Sequence, residues 1–184
     1  MNSDLQISLK NGTPAEARMR EIVTSLPREY NLAGWILTNV IEIDGGGWPH
    51  SHPVLTLNTA FEQDVTMVLT EFVHEQLHWF EEEHADRRDL AIEETKRYYS
   101  DVPSARPEGA GDELSTRLHL LVCYLEYQAM KLLTGPEKAK EVMLALSRHH
   151  YCWVYRTILR DEEKLAGIIR KYDLVPEPLR ARVE

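Results

Sequence analysis

Two histidines and a glutamate stand at a spacing that can bind a metal ion. The segment His74-Glu75-Gln76-Leu77-His78 fits the pattern HExxH. In a helix, residues four apart lie one turn apart on the same side, so both imidazoles can reach one ion. Glu75 would then face the open position on the metal, where a carboxylate acts as a general base. The pattern predicts a hydrolytic zinc site.

The helical phase of the segment that follows Asp64 separates these histidines from the apolar residues. Counted at 100° per residue from Val65, the apolar side chains fall between about 300° and 120°. His74 and His78 fall at about 180° and 220°, opposite that arc. The alternative to a metal site is therefore a pair of solvated histidines on an exposed face.

A predicted strand over 54–59 leads into this helix, and the combination resembles the zincin metallopeptidases. In that superfamily an edge strand lies beside the HExxH helix and holds extended peptide by backbone pairing. The resemblance implies that His74 and His78 bind zinc and that Glu75 is the general base. It covers residues 54–78 directly and the rest of the chain in outline.

A catalytic zinc normally takes three protein ligands and a water, so a third ligand is needed. The gluzincin pattern takes a glutamate from a later helix, and the segment Leu-Glu-Tyr-Gln-Ala over 125–129 resembles it. This resemblance implies that Glu126 is the third ligand. The alternative is a buried ion pair between Glu126 and one of the basic residues.

Two other histidines compete for the same role. His119 shares a helical stripe with Cys123 and Glu126, so it is the second choice or a residue that orients a ligand. We expect Cys123 to be a core thiol. His84 has the six-residue spacing of the metzincin pattern, but Glu81 replaces its glycine, and a continuing helix would carry His84 too far around to reach the ion.

Histidines and tyrosines also cluster near the start of the last long helical segment: His149, His150, Tyr151 and Tyr155. Zincin peptidases often use a histidine or tyrosine from a later element to stabilise the oxyanion. The resemblance implies that one of these four does so, and His150 and Tyr155 are our candidate catalytic residues. The alternative is an aromatic packing cluster.

The N-terminal part is predicted to combine one helix with two strands. Thr13 can cap a helix that should end near Pro27. Residues 35–44 and 54–59 are rich in β-branched side chains, which is typical of strands. The loop between them, 45–53, is rich in Gly and Pro, and we expect its His50 and His52 to be exposed.

From residue 64 onward the pattern is helical, with an interruption at 102–112 and a polar tail from 176. The predicted helices are 64–83, 86–99, 112–133, 136–147 and 149–171. We therefore expect an α+β fold, with a small antiparallel sheet followed by a helical bundle and the motif on a central helix. The expectation is a single domain with an α/β part over about 1–60 and a helical part over about 61–175.

Composition narrows the function classes. The chain has 184 residues, 43% of them hydrophobic, which suits one globular domain. Its formal net charge of -9 argues against a nucleic-acid surface. No apolar run is long enough to cross a membrane, and two cysteines without CxxC spacing favour a reducing compartment, so we expect a cytoplasmic protein.

These observations predict a zinc-dependent hydrolase, a metallopeptidase that acts on a peptide or protein with Zn²⁺ as cofactor. In this mechanism a zinc-activated water attacks the scissile carbonyl, and Glu75 accepts and returns the proton. One alternative is a catalytically inactive, zinc-stabilised binding or regulatory module. The other is a metal-free helical interaction protein.

Overall fold

The computed structural model describes residues 4–180. The elements of this part of the chain are β1 (Gln6–Leu9), α1 (Pro14–Glu29), β2 (Val40–Ile43), β3 (Leu55–Leu57), α2 (Val65–Glu83), α3 (Ala85–Tyr98), α4 (Glu113–Thr134), α5 (Pro136–Leu146), α6 (Cys152–Arg160), α7 (Glu162–Lys171) and α8 (Glu177–Arg180). The chain divides into two compact units, one up to Phe80 and one from Glu81. Among the described helices, none is both long and apolar enough to span a membrane.

The three strands form one sheet in the order β1-β2-β3, and both neighbouring pairs are parallel. The predicted antiparallel arrangement is therefore wrong. Strand β1, which the sequence analysis missed, reaches β2 through the α1 crossover, as parallel pairing requires. The chain reverses its direction in the loop between β2 and β3, where His50 forms an antiparallel bridge with Thr56. It then turns again and enters β3, which runs parallel to β2.

Helix α1 begins as its sequence predicts. The Thr13 hydroxyl accepts a hydrogen bond from the Glu16 backbone N–H at 3.2 Å, and the Glu16 carboxylate accepts one from the Thr13 N–H at 3.0 Å. This reciprocal pair is a capping box, followed by a proline in the first turn. The helix continues through Pro27 and ends at Glu29, slightly later than predicted.

Helix α2 begins with a side-chain cap from Asp64. The backbone N–H groups of Thr66 and Met67 donate to the Asp64 carboxylate at 3.0 and 3.1 Å. The apolar arc predicted from the helical phase is buried, at Val68, Leu69, Phe72, Val73, Leu77 and Phe80. The predicted start and end of this helix are confirmed, and so is its buried face except at Val65, which is exposed, and Trp79, which is half-buried.

In the second unit, α4 packs against α3, α5, α6 and α7. Its N-terminus is capped by Asp112, which accepts a hydrogen bond from the Ser115 N–H at 2.8 Å. The helix predicted over 149–171 is in fact two helices, because α6 ends at Arg160 and α7 begins after Asp161. The predicted polar tail contains α8, and residues 181–184 lie outside the described part of the chain.

Candidate metal centre

Helix α2 brings the two histidines of the motif side by side. The ring centroids of His74 and His78 lie 5.0 Å apart with their planes at 72°. A ring nitrogen of each lies within 4.8 Å of one on the other. Two nitrogens bound to one tetrahedral zinc at about 2.1 Å lie roughly 3.4 Å apart, so a small side-chain rotation would allow both to bind.

The face of α2 that carries the motif is largely buried. His74 is 8% exposed although it lies opposite the helix's apolar arc, and Glu75, just outside one edge of that arc, is 6% exposed. A solvated pair of histidines would be much more exposed, so this burial disfavours the exposed-face interpretation. Buried imidazole and carboxyl groups require polar partners or a metal ion.

Two carboxyl groups lie one turn apart on this buried face. Burial raises the pKa of Glu75 to about 8, and the nearby Glu71 carboxyl adds to the rise. Burial also raises the pKa of Glu71 to about 7, partly offset by the Asn58 backbone amide. Among residues 4–180, neither carboxylate oxygen of Glu71 has a partner within hydrogen-bond geometry.

Glu71 is a residue of this face that the sequence analysis missed. At 100° per residue it falls at about 240°, between His78 at about 220° and Glu75 at about 280°. The same phase count that places the histidines could therefore have found it. Four polar side chains thus share one side of α2.

A buried glutamine holds α2 against the backbone that precedes β2. The Gln76 side-chain oxygen accepts hydrogen bonds from the N–H groups of Leu37 and Thr38 at 2.8 and 2.9 Å. Its amide nitrogen donates to the Thr38 carbonyl at 2.8 Å. These three bonds fix the rotation of the helix, and so the direction in which its polar face points.

The Gly-rich loop lies against α2 just beyond the motif. The ring of His52 stacks on that of Trp79 at 4.2 Å, and the Trp79 indole N–H donates to the Ser51 carbonyl at 2.9 Å. His50 is exposed, as predicted, whereas His52 is half-buried by this stack. The loop is therefore tied to the helix that carries the histidines.

In the second unit, Glu126 on α4 is fully buried beside Cys123 and Tyr155. The Tyr155 hydroxyl lies 3.3 and 3.2 Å from the two carboxylate oxygens of Glu126, and it donates to that carboxylate. The Cys123 sulfur lies within 4.8 Å of a Glu126 oxygen. Burial raises the pKa of Tyr155 well above 10, so its hydroxyl keeps its proton.

His119 on α4 is held in a defined orientation. Its Nδ1 lies 2.7 Å from the Ser115 carbonyl oxygen, which can only accept, so Nδ1 carries the proton. Its ring lies 4.3 Å from that of Tyr151. A backbone carbonyl bonded to one ring nitrogen is the usual arrangement for a histidine whose other nitrogen binds a metal.

The histidines and tyrosines at the start of α6 form an aromatic group. The His150 ring lies 5.1 Å from that of Tyr151 and 5.8 Å from that of Tyr155, whereas His149 is exposed. Burial, with His149 and Arg106 nearby, lowers the pKa of His150 to about 4, so its imidazole is neutral. Tyr151 has a left-handed backbone with φ 48°, which is strained for a bulky residue.

His84 lies at the junction between α2 and α3. Helix α2 ends at Glu83, and His84 is the residue that precedes the first turn of α3. Within residues 4–180, His84 belongs to none of the groups of side chains whose ligand atoms lie close enough to share an ion.

Comparison of the chain with protein-family models, with curated protein sequences and with solved structures finds no match.

Proposed function

We propose that this protein is a zinc-dependent hydrolase, a metallopeptidase in which His74, His78 and Glu126 bind the metal and Glu75 is the general base. The observation that carries the proposal is the face of α2, where two imidazoles within reach of one ion flank a buried carboxyl group. Such a face is costly to bury without a metal or other partner.

The donor atoms suit zinc. Imidazole nitrogen and carboxylate oxygen are ligands that catalytic zinc commonly takes, three from the protein with one position left open. Glu126 receives a hydrogen bond from Tyr155, and ligating carboxylates typically have such a partner. His119 is the alternative third ligand, because its Nδ1–H bond to Ser115 directs Nε2 away from the helix backbone.

Zinc, when bound, lowers the pKa of a coordinated water toward about 7. Glu75 accepts a proton from the attacking water as the new C–O bond forms. Glu75 then delivers the proton to the departing amine as the C–N bond breaks. In this proposal the neutral His150 donates an N–H to the developing oxyanion, and Tyr155 orients Glu126.

We infer that the protein acts on peptides in the cytoplasm and has no nucleic-acid partner. Both cysteines, Cys123 and Cys152, are buried thiols, which suits a reducing compartment. The net charge of -9 disfavours binding to phosphate backbones.

The proposal is tested by measuring zinc per chain and peptide hydrolysis in wild type and four variants. We expect about one zinc per chain both in wild type and in Glu75→Gln. Wild type should hydrolyse peptide, whereas Glu75→Gln should not. His78→Ala and Glu126→Ala should lose zinc, whereas His84→Ala should keep it. Loss of zinc in His84→Ala but not in Glu126→Ala would overturn the assignment of the third ligand.

One observation favours the alternative of an inactive zinc-stabilised module. The outward-facing backbone groups of β3 belong to Thr56, and both are already bonded to His50, at 3.1 and 2.7 Å. A peptide therefore cannot add to β3 as the zincin resemblance implied, unless the loop moves. Zinc binding in wild type without hydrolysis of any peptide would support this alternative. If the protein bound no zinc after reconstitution, the result would support the other alternative, a metal-free helical interaction protein.

A further inference from the structure

The backbone beside α2 offers little to an extended peptide. The N–H and the carbonyl of His50 are both hydrogen-bonded to Thr56. The backbone groups on the opposite side of this segment, which a peptide could reach, therefore belong to its neighbours Pro49 and Ser51. Pro49 has no N–H to donate. The Ser51 carbonyl already accepts the Trp79 indole N–H at 2.9 Å.

This edge is therefore poorly suited to strand addition. Endopeptidases that hold a long chain by backbone pairing need alternating free donors and acceptors along an edge. Here Thr56 is fully paired, Pro49 lacks a donor and the Ser51 acceptor is occupied. A substrate at this site must be held by something other than a β-ladder.

Glu71 provides a second and independent observation. Both of its carboxylate oxygens are buried, and within residues 4–180 neither has a partner in hydrogen-bond geometry, although the Asn58 backbone amide is near enough to lower the pKa of Glu71. A buried carboxylate without a well-aligned donor is costly, so a cation or donor supplied from outside would stabilise it. The helical phase places Glu71 on the same side of α2 as Glu75 and the two histidines.

The spacing between Glu71 and Glu75 limits what that cation can be. Residues four apart on a helix have their Cβ atoms about 5–6 Å apart. A cation bound by Glu71 therefore lies about one amino-acid residue away from the carbonyl that is attacked beside Glu75. The α-amino group of the residue that carries the scissile carbonyl meets this condition.

We propose that Glu71 binds the free N-terminal ammonium group of the substrate, so that the protein is an aminopeptidase-type enzyme that removes one residue at a time. This inference rests on the proposed function and specifies its substrate class. It accounts for the occupied backbone edge, because such a substrate has only one residue on the N-terminal side of the cleaved bond. One residue is too short to form a β-ladder. The ion pair formed between the ammonium and Glu71 takes the place of that ladder.

The test compares peptides that differ only at the N-terminus. Wild type is incubated with Leu-Gly-Gly and with N-acetyl-Leu-Gly-Gly, and with a blocked, internally quenched decapeptide, and products are identified by mass spectrometry. We expect release of leucine from the free peptide, with kcat/KM at least about 100-fold higher than for the acetylated one. The blocked decapeptide should remain intact.

Variants of Glu71 separate recognition of the ammonium group from a structural role. Glu71→Gln keeps the shape but removes the charge, so its kcat/KM for Leu-Gly-Gly should fall toward the wild-type value for the acetylated peptide, mainly through KM. The ratio between the two peptides should approach one, which a structural defect alone would not produce. Glu71→Met serves as a second variant, and Glu83→Gln, on the exposed end of α2, is the matched control.

A binding measurement makes the result independent of turnover. Zinc-loaded Glu75→Gln protein should bind Leu-Gly-Gly in calorimetry at least about 30-fold more tightly than the acetylated peptide. Equal binding of the two, or cleavage of the blocked decapeptide, would overturn the aminopeptidase inference and leave the proposed hydrolase intact. Absence of zinc, or zinc without cleavage of any peptide, would instead overturn the hydrolase on which it rests.

Discussion

The Tyr155 hydroxyl donates to the Glu126 carboxylate across two helices of the same unit, at 3.3 and 3.2 Å from its oxygens. Both side chains are buried, with Tyr155 1% exposed and Glu126 0% exposed. A carboxylate so enclosed has few positions available, and its tyrosine partner selects one of them. The predicted oxyanion-stabilising role of Tyr155 stays a prediction, but its hydroxyl already has this partner.

Tyr155→Phe is therefore expected to weaken zinc binding without abolishing it. Removing a partner that orients a metal ligand typically costs about 10–100-fold in metal affinity. Competition with a chelating dye measures this change, and Tyr98→Phe, at an exposed tyrosine, is the control. Unchanged affinity in Tyr155→Phe would remove Glu126 from the ligand set or show that its position does not depend on the hydroxyl.

Gln76→Ala is expected to destabilise the protein by roughly 3 kcal/mol. The substitution removes three hydrogen bonds and leaves the N–H groups of Leu37 and Thr38 without their acceptor. Urea unfolding followed by circular dichroism measures the free energy of unfolding. Gln63→Ala, at an exposed glutamine, should change it by less than about 0.5 kcal/mol. Equal stability of the two variants would contradict the proposed anchoring of α2.

Glu16 should make stability depend on acid pH. The Gly45 N–H, helped by Asn11 and Thr13, holds the pKa of Glu16 at about 2 against the opposing effect of burial. Because the folded pKa lies below the usual 4.5, its contribution is complete above about pH 4.5 and is lost as pH falls toward 2.

Glu16→Gln should therefore lower Tm at pH 7 and flatten the fall in Tm between pH 4.5 and pH 2. Thermal unfolding at a series of pH values measures both effects. Glu21→Gln, at an exposed position of the same helix, should follow the wild-type curve. An unaltered acid response in Glu16→Gln would show that other carboxyl groups control it.

Two glycine-to-alanine substitutions should have opposite effects. A Cβ atom at Gly109 would lie 1.9 Å from the Pro103 carbonyl oxygen and 2.7 Å from the Thr116 hydroxyl oxygen, so Gly109→Ala should cost about 2–3 kcal/mol. A Cβ at Gly167, in α7, meets nothing within 4 Å, and Gly167→Ala should stabilise by about 0.5–1 kcal/mol. Differential scanning calorimetry of both variants checks the sign of each effect.

Several elements could be predicted because their signals are local. Caps at Thr13, Asp64 and Asp112 start helices where the sequence indicates, since a capping side chain bonds the backbone two or three residues away. The apolar arc of α2 is buried for the same reason, because helical periodicity is a property of the segment itself. The break at Asp161 was missed, since the apolar pattern continues on both sides of it.

Strand direction could not be predicted in this way. Residues 35–44 and 54–59 have the composition of strands, but the pairing partners are set by β1 and by the path of the loop through His50. Such pairing joins residues far apart in sequence, so no local pattern encodes it. This pairing also affects the candidate site, because the same loop occupies the edge of β3 along which the substrate was expected to bind.

The sequence by itself determined the motif, its position on α2 and the side of that helix on which His74, Glu75 and His78 lie. Those features follow from spacing and a fixed helical repeat. Only the tertiary structure decided that this side is buried, that the Glu71 carboxylate is enclosed with it and that Gln76 anchors the helix to residues 37–38. Burial and hydrogen-bond partners depend on which distant segments cover a face, and that is settled when the chain packs.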